Sequence, residues 1–334
     1  MLIKSAGQQV GGTMIISASR RTDIPAFYAE WFYKRLEEGF VVTRNPFNAN
    51  QLTKLRLDAE VVDAIVLWTK NARPMLARLD ELDATGIPYY FQFTITPYGQ
   101  DLEPRLPASK TVLIDTFKEL SERLGPERVV WRYDPILLSE KYSIGFHERA
   151  FAKCAGLLEG YATRAVISFL DMDYNNTKNI QRLGISDGTT EEKNELAAYI
   201  AGVAHEHGMT VETCAEEIDL DVCGIRHGHC IDADLIERIS GKRLSTRGRG
   251  KDKGQRLLCG CIGSTDIGVY NTCLHGCAYC YANFSQGSID ANLAKHDPNS
   301  PVLIGTCDPD ELPFKKDQKS FFAGPLEPDQ MQLL

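Results

Sequence analysis

The sequence lacks any apolar run long enough to span a membrane, and no signal peptide is visible. It also lacks a P-loop, a dinucleotide-binding fingerprint, an H-E-x-x-H zinc motif and a G-x-S-x-G nucleophile motif. These absences argue against the common nucleotide-binding and hydrolase classes. They predict a cytoplasmic protein that makes no use of a membrane.

Basic residues are the minority charge. Lys and Arg number 37 against 45 Asp and Glu, which gives a net charge of −8. Proteins that bind duplex nucleic acid more often have a basic surface, so broad nucleic-acid contact is disfavoured. A local basic groove is still compatible with this total, because residues 242–256 hold seven basic residues and one acid. That stretch is interpreted either as a phosphate-binding segment or as a solvated loop.

Ten cysteines in 334 residues are too sparse for a small disulfide scaffold. All of them except Cys154 follow Gly208, and six fall between Cys230 and Cys280. Clustering of this kind indicates metal binding in a reducing compartment. Cys154 lies in an apolar helical stretch and is predicted to be a buried, inert thiol.

Strand and helix patterns alternate along most of the chain, which is typical of βα units with parallel pairing. The simplest architecture is an α/β fold with a (β/α)8-like, TIM-type barrel, possibly partial, and an open doubly wound sheet is the alternative. Seven strands are predicted before a cysteine-bearing insertion, and an eighth after it: Met14–Ser19, Phe40–Arg44, Ala64–Thr69, Tyr89–Ile95, Arg128–Tyr133, Arg164–Phe169, Thr210–Thr213 and Ser264–Tyr270.

Five segments follow from these patterns. Residues 1–13 are expected to be a disordered extension, and 14–213 to form the βα repeats. Residues 214–262 form the cysteine-rich insertion, 263–296 the last strand with a further cysteine loop, and 297–334 a C-terminal tail. The tail is rich in Pro and Asp and is expected to pack on the barrel or to be partly disordered.

The most informative motif is C-x3-C-x2-C at Cys273, Cys277 and Cys280, with Tyr279 just before the third cysteine. Thiolates are soft ligands, and a tight loop of three suits an iron–sulfur cluster. Three thiolates on a [4Fe–4S] cluster leave one iron open to another ligand. A closed zinc site usually has four protein ligands, so a zinc knuckle or a set of inert thiols is the alternative.

This motif resembles the signature of the radical S-adenosylmethionine (SAM) superfamily. The resemblance implies that the open iron binds SAM and that one electron cleaves it to a 5′-deoxyadenosyl radical. It also implies an electron donor such as flavodoxin or ferredoxin. The segment from Cys259 to Asn283 is similar, in addition, to an uncharacterised bacterial family sometimes labelled DNA-repair-photolyase-like, and that similarity extends from about Met14 onward.

The order of the motifs departs from the superfamily pattern, in which the cluster loop follows the first barrel strand. Here the loop follows the last strand. Because first and last strands are neighbours in a closed barrel, we expect Ser264–Tyr270 to lie beside Met14–Ser19, as in a circular permutation. The Gly-Gly-Glu segment with which the family helps to hold SAM is missing.

By analogy with the family, residues at two strand ends take the role of holding SAM. An arginine at the first strand end would suit the SAM carboxylate, the later strand end would hold the ribose, and Tyr279 matches the aromatic that lies against adenine. Rim salt bridges are the alternative for each charged residue. The residues are Ser19, Arg20, Arg21 and Asp23 at the first strand end, and Thr69, Lys70 and Asn71 at the later one.

Four further cysteines come from three separate segments: Cys214, Cys230, Cys259 and Cys261. Four thiolates can close a second [4Fe–4S] cluster, and many radical SAM enzymes carry an auxiliary one. A zinc site, a mixed site that uses His227 or His229, and free thiols remain alternatives. The role of Cys223 is open, and it is the first candidate to replace one of the four.

The leading hypothesis is therefore a radical SAM enzyme whose substrate is a nucleic-acid lesion, a small molecule or a peptide. The alternative is a non-catalytic metal-binding or redox-sensing protein. It would hold zinc, or a cluster with no open iron.

Overall fold

The computed structural model describes residues 14–172, 182–252 and 254–326. The predicted disordered extension at residues 1–13 lies outside the described residues, as do residues 327–334 of the predicted tail. Among the described residues no helix is both long and apolar enough to cross a bilayer.

The strands are short and mostly buried, and they are numbered in chain order. They are β1 (Ile15–Ala18), β2 (Phe40–Asn45), β3 (Asn48–Arg56), β4 (Ala64–Thr69), β5 (Tyr89–Thr94), β6 (Val129–Ile136), β7 (Arg164–Phe169), β8 (Thr210–Thr213), β9 (Arg226–His227), β10 (Lys242–Leu244), β11 (Thr265–Asp266) and β12 (Phe322–Pro325).

The helices between them begin at local capping groups in several cases. Asp23, Ser143 and Thr189 each accept a backbone N–H of the helix that follows them, and Thr189 forms a full capping box with Glu192. The helices are α1 (Ile24–Phe27), α2 (Ala29–Glu38), α3 (Arg73–Leu76), α4 (Leu79–Ala84), α5 (Thr111–Leu124), α6 (Ile144–Leu158), α7 (Thr190–Glu206), α8 (Ala233–Ser240) and α9 (Gln286–Leu293).

Eight of the described strands form one parallel sheet in the order β11-β1-β4-β5-β6-β7-β8-β9. The α/β class is confirmed. The closed barrel is not, because β11 and β9 are the two ends of this sheet and are not paired with each other. The strands at these ends are only two residues long, which leaves little backbone for closing a ring.

The prediction that Phe40–Arg44 belongs to this sheet is wrong. β2 pairs antiparallel with β3 in a separate two-stranded sheet. Only Pro46 and Phe47 separate the two strands. A link this short allows a local hairpin, whereas a parallel partner needs a long crossover.

The two faces of the sheet pack against different parts of the chain. Ile16 and Leu67 belong to the large core on the helix side, whereas Ile15 and Val66 belong to a second core. This alternation is the period of two expected of a strand buried on both faces. The second core contains Cys230, Cys259 and Cys261, so the cysteine-rich segment covers that face of the sheet.

The described part of the tail also packs on the fold. β12 pairs antiparallel with β10. The buried carboxylate of Asp63 accepts hydrogen bonds from the backbone N–H of Phe321 and from the hydroxyl of Ser320. The tail therefore closes over the start of β4.

Candidate metal and cofactor site

The strand that leads to the C-x3-C-x2-C motif lies beside the first strand, as predicted. β1 and β11 pair in parallel, with Ser17 opposite Asp266. The Asp266 carboxylate accepts hydrogen bonds from the hydroxyls of Ser17 (3.0 Å) and Ser19 (2.5 Å) and from the backbone N–H of Arg20 (2.8 Å). Two chain segments about 250 residues apart are thus joined at the carboxyl edge of the sheet.

We use the name three-cysteine loop for residues 271–283, which carry Cys273, Cys277 and Cys280. The loop is closed on itself by hydrogen bonds from Asn271 N to Ala282 O (2.9 Å) and from Asn283 Nδ2 to Cys273 O (2.8 Å). Its Gly276 has φ +71°, a left-handed conformation that favours glycine. The loop therefore has a defined shape.

The three thiols lie close enough to affect one another's ionisation. Burial raises the pKa of all three, that of Cys277 to about 12, and the charge of Cys280 raises the pKa of Cys273 and of Cys277 further. Without a cation these thiols are protonated at neutral pH. A bound metal centre would supply the positive charge that three gathered thiolates need.

Asp23 connects the loop to two strand ends. Its carboxylate caps α1 by accepting a hydrogen bond from Ala26 N (2.9 Å). It also accepts hydrogen bonds from Lys70 N (2.7 Å) and from His275 Nε2 (2.7 Å). His275 is 4% exposed and also contacts the ring of Phe27 at 4.6 Å between centroids. Because an ionised carboxylate only accepts hydrogen bonds, Nε2 of His275 carries the proton.

A second buried carboxylate, Glu103, contacts the loop through Tyr279. Its carboxylate accepts hydrogen bonds from Lys70 Nζ (2.7 Å), from Lys110 Nζ (2.6 Å) and from the hydroxyl of Tyr279 (2.5 Å). Burial alone would raise its pKa, but the two lysines outweigh burial and lower it to about 2. The positive charge of Lys70 also opposes the rise in the pKa of Cys277.

We use the name four-cysteine group for Cys214, Cys230, Cys259 and Cys261, and the structure brings all four together. The sulfurs of Cys230 and Cys214 are 3.3 Å apart. Cys261 makes side-chain hydrogen bonds with both Cys230 and Cys259, and the bond from Cys261 lowers the pKa of Cys259 to about 7. Cys230, Cys259 and Cys261 are buried, and Cys214 is half-buried.

Arg132, on β6, lies against the four-cysteine group. Its Nη1 donates to Cys230 Sγ (2.8 Å) and to Gln92 Oε1 (3.1 Å), and its Nη2 pairs with Asp134. The side chain is 5% exposed. The hydrogen bond with Cys214 and the charge of Arg132 lower the pKa of Cys230, but the hydrogen bond with Cys261 and burial raise it to about 11. The guanidinium also opposes the rise in the pKa of Cys214, which comes from its hydrogen bond with Cys230 and from burial.

The residues predicted to hold SAM divide between the two cysteine sets. Arg20 lies on the side of the four-cysteine group. Burial lowers the pKa of its guanidinium, but the charges of Cys261, Asp266 and Cys230 outweigh burial and raise the pKa above its ordinary value. Arg21 points elsewhere, donating to Gly268 O (3.4 Å) and lying over the Tyr270 ring. Asp23, Lys70 and Tyr279 lie on the side of the three-cysteine loop.

Thr69 and Asn71 are used locally at the end of β4. The Thr69 hydroxyl accepts Asn71 N (2.8 Å), and the Asn71 side chain accepts Arg73 N (3.1 Å) at the start of α3. Both side chains therefore shape the strand-to-helix turn. Their predicted contact with a ribose stays a prediction.

Three other residues weighed as ligands lie outside these clusters or at their border. Cys223 packs against the main core, with its thiol 3.9 Å from Asn194 O. His227 contacts the Thr213 hydroxyl (3.1 Å), and the exposed His229 contacts Gly260 O (2.6 Å) next to the four-cysteine group. Cys154 is buried in α6 with its pKa raised by burial to about 11, as expected for an inert thiol.

The basic stretch at residues 242–256 is partly neutralised within the fold. Arg249 pairs with Asp234 and with Glu237 (2.9 Å), and Arg256 pairs with Asp171 (3.0 Å). Lys253 lies outside the described residues. The pairing reduces the positive charge that this segment can offer to phosphates.

Neither cysteine set converges on one point. In the described ranges, no group of three or more His, Cys, Asp or Glu side chains is arranged to hold a single metal ion. A mononuclear zinc site needs four ligands about 2.0–2.3 Å from one ion. The donor chemistry nevertheless fits iron–sulfur ligation, since all seven predicted ligands are cysteines gathered at the carboxyl edge or on the covered face of one sheet.

Asp266 and Glu103 are among the residues of these clusters that were not predicted as site residues. Asp266 ends its strand, so its position was available from the pattern. Glu103 lies in a loop and had no periodic signal. Its role appears only when the fold brings two lysines and Tyr279 around it.

Together the fold and the site define an α/β protein with an open parallel sheet and two clusters of cysteines near its carboxyl edge. A family model described as Domain of unknown function (DUF1848) matches residues 15–282. The chain belongs to this family, which confirms the expected membership of an uncharacterised family. None of the curated proteins matches the chain.

Proposed function

We propose that the protein is a radical SAM enzyme whose cluster is held by Cys273, Cys277 and Cys280. The observation that carries the proposal is the position of the three-cysteine loop beside β1, where the end of a parallel sheet supplies polar side chains. This neighbourhood agrees with a circularly permuted form of the superfamily arrangement. When bound, a [4Fe–4S] cluster with an open iron would supply the electron that cleaves SAM.

The chain's own residues would prepare the site. Asp23 orients the loop through His275 and connects it to β4. Glu103 fixes the ammonium of Lys70 beside the loop and holds the hydroxyl of Tyr279. We propose that Asp23, Lys70 and Tyr279 are the residues of the predicted set that face SAM.

The four-cysteine group would hold a second [4Fe–4S] cluster. Its support is the gathering of four thiols beside the Arg132 guanidinium. The buried cation would compensate part of the negative charge of four thiolates. An external electron donor would still be required to reduce the enzyme.

The second candidate function is a metal-binding or redox-sensing protein without catalysis. The composition of the four-cysteine group is compatible with it, because four thiolates that rearranged around one ion would make a closed zinc site. Counting iron, sulfide and zinc in anaerobically purified protein separates the two. Iron and sulfide of which about half is lost in Cys273→Ala support the enzyme. Zinc alone, unaffected by Cys273→Ala, supports the second candidate.

Of the three substrate classes, we propose a small molecule in preference to a nucleic-acid lesion or a peptide. The internal pairing of Arg249 and Arg256 and the net charge of −8 both disfavour extended contact with a phosphate backbone. Binding of a single-stranded oligonucleotide at several salt concentrations tests this order. A steep salt dependence of specific binding would restore the nucleic-acid substrate.

A further inference from the structure

Two buried hydrogen-bond donors at adjacent strand ends have no partner among the described residues: Arg20 Nη2 and Trp68 Nε1. The two side chains touch, since the guanidinium carbon of Arg20 is 5.4 Å from the ring centroid of Trp68. A buried donor that is left unpaired destabilises the fold, because it has lost its hydrogen bonds to water. Two such donors in one contact indicate an acceptor that the described residues do not supply.

The other two tryptophans have an indole hydrogen bond of the kind that Trp68 does not make with any described residue. Trp31 Nε1 donates to Ser300 O (2.9 Å), and Trp131 Nε1 donates to Ile95 O (3.2 Å). Both of these indoles are core residues with the hydrogen bond that a buried indole normally finds. Trp68 is the exception, and it is the tryptophan at a strand end.

Charges of both signs surround these donors, because the guanidiniums of Arg20 and Arg132 lie near the carboxylates of Asp134, Asp252 and Asp266. A second guanidinium, that of Arg132, lies 5.2 Å from the Trp68 ring centroid. Arg132 is hydrogen-bonded to Asp134, but Arg20 has Asp252 only at 3.7 Å, beyond hydrogen-bonding distance. The Asp266 carboxylate accepts a hydrogen bond from the backbone N–H of Arg20 rather than from its guanidinium.

We propose that Arg20 and Trp68, supported by Arg132, bind the anionic group of a small-molecule substrate, a carboxylate or a phosphate. A guanidinium and an indole N–H match an oxyanion because they donate and do not accept. The site lies at the carboxyl ends of β1 and β4, where parallel sheets bind ligands. That the bound molecule is a substrate rests on the proposed function, whereas the anion site itself does not.

A small anion fits these donors better than a polynucleotide does. Both donor atoms are buried, whereas a phosphate backbone needs a row of exposed cations. The side chains of Arg20 and Asp252 are only 15% and 16% exposed.

The test is calorimetric titration of the anaerobically purified full-length protein with inorganic phosphate and, separately, with acetate. We expect saturable binding of at least one anion. Arg20→Gln should weaken it by about tenfold or more, since a charged hydrogen bond contributes about 1.5–3 kcal/mol. Trp68→Phe keeps the ring but removes the N–H, and should weaken binding by about fivefold.

The matched control is Arg149→Gln, which removes an exposed arginine of α6 and should leave anion binding unchanged. Circular dichroism of each variant checks that it is folded, and Trp68→Phe keeps the test valid if Arg20→Gln does not fold. Preference for phosphate over acetate, or the reverse, distinguishes the two sources of the oxyanion.

Three results would overturn the proposal. The first is no saturable binding of either anion, or equal binding by wild type and by Arg20→Gln. The second is displacement of the anion by SAM, which would indicate that Arg20 binds the carboxylate of SAM. The third is displacement by a single-stranded oligonucleotide at lower concentration than by phosphate. None of these readouts uses SAM cleavage, so failure of the proposed function is seen separately.

Discussion

His275 Nε2 lies 2.7 Å from Asp23 Oδ2, although the two residues are 252 positions apart in the sequence. This hydrogen bond joins the N-terminus of α1 to the three-cysteine loop. Through the same carboxylate oxygen it also reaches the backbone of Lys70 at the end of β4. The loop is therefore positioned by two strands of the sheet as well as by its own sequence.

Asp23→Asn is expected to weaken iron binding at the three-cysteine loop. Asparagine can still cap α1 through its oxygen, but its NH2 group accepts a hydrogen bond from neither Lys70 N nor His275 Nε2. Loss of such a supporting contact typically costs 10–100-fold in metal affinity. Iron per chain and alkylation of Cys273 in the variant measure this, with the exposed Asp310→Asn as control. Iron affinity equal to that of wild type would show that Asp23 does not position the loop.

Glu103→Gln is expected to destabilise the protein strongly. The substitution leaves the ammonium groups of Lys70 and Lys110 without their shared carboxylate, and Glu103 is 0% exposed as a side chain. Breaking a buried ion pair costs about 3–5 kcal/mol. The free energy of unfolding, measured by urea denaturation, reports the loss.

The control for this variant is Glu119→Gln. Glu119 pairs with Arg73 at 3.7 Å, and the two side chains are 57% and 50% exposed. An exposed pair of this kind contributes less than about 1 kcal/mol. Similar losses in both variants would mean that the Glu103 pairs are no stronger than a surface contact.

Stability should fall as the pH is lowered from about 6.5 toward 4, in part because of His147. Burial lowers the pKa of His147 to about 4, although its hydrogen bond to Leu137 O acts the other way. The unfolded chain binds the proton at about pH 6.5, so the contribution is fully present above that pH and is lost as the pH falls through the folded value.

The expected size is a loss of about 2 kcal/mol between pH 7.5 and pH 5. Urea denaturation at the two pH values measures it. His147→Gln should lose less stability over this interval, whereas the exposed His205→Gln should behave as wild type does. If His147→Gln loses as much free energy of unfolding as wild type between the two pH values, other groups cause the pH dependence.

The two cysteine sets should load independently. Cys230→Ala and Cys273→Ala are each expected to remove about half of the iron and sulfide, because the four-cysteine group and the three-cysteine loop would each hold one [4Fe–4S] cluster. Cys307→Ala, outside both sets, is the control. Loss of all metal in either single variant would indicate one shared centre in place of two.

Much of the fold could be predicted because the strands of the main sheet are short apolar runs bounded by turns. The placement of β11 beside β1 followed from the order of the motifs, and the structure confirms it. The hairpin of β2 and β3 was missed because Phe40–Arg44 has the same apolar signal as a sheet strand. Only the partner strand, which is polar, decides between the two arrangements.

The gathering of the four-cysteine group could be predicted from cysteine spacing, since cysteines are few and their ligand chemistry is specific. The charges around them could not. Arg20 and Lys70 are both basic residues at strand ends, yet one lies toward the four-cysteine group and the other toward the three-cysteine loop. That division depends on side-chain direction in the folded sheet, which the sequence does not encode locally.

The most direct measurement is the release of 5′-deoxyadenosine from SAM by anaerobically reconstituted protein after reduction with dithionite. The account predicts release by wild type and none by Cys277→Ala, which should keep the iron of the four-cysteine group. Fully loaded protein that yields no cleavage product of SAM would contradict it.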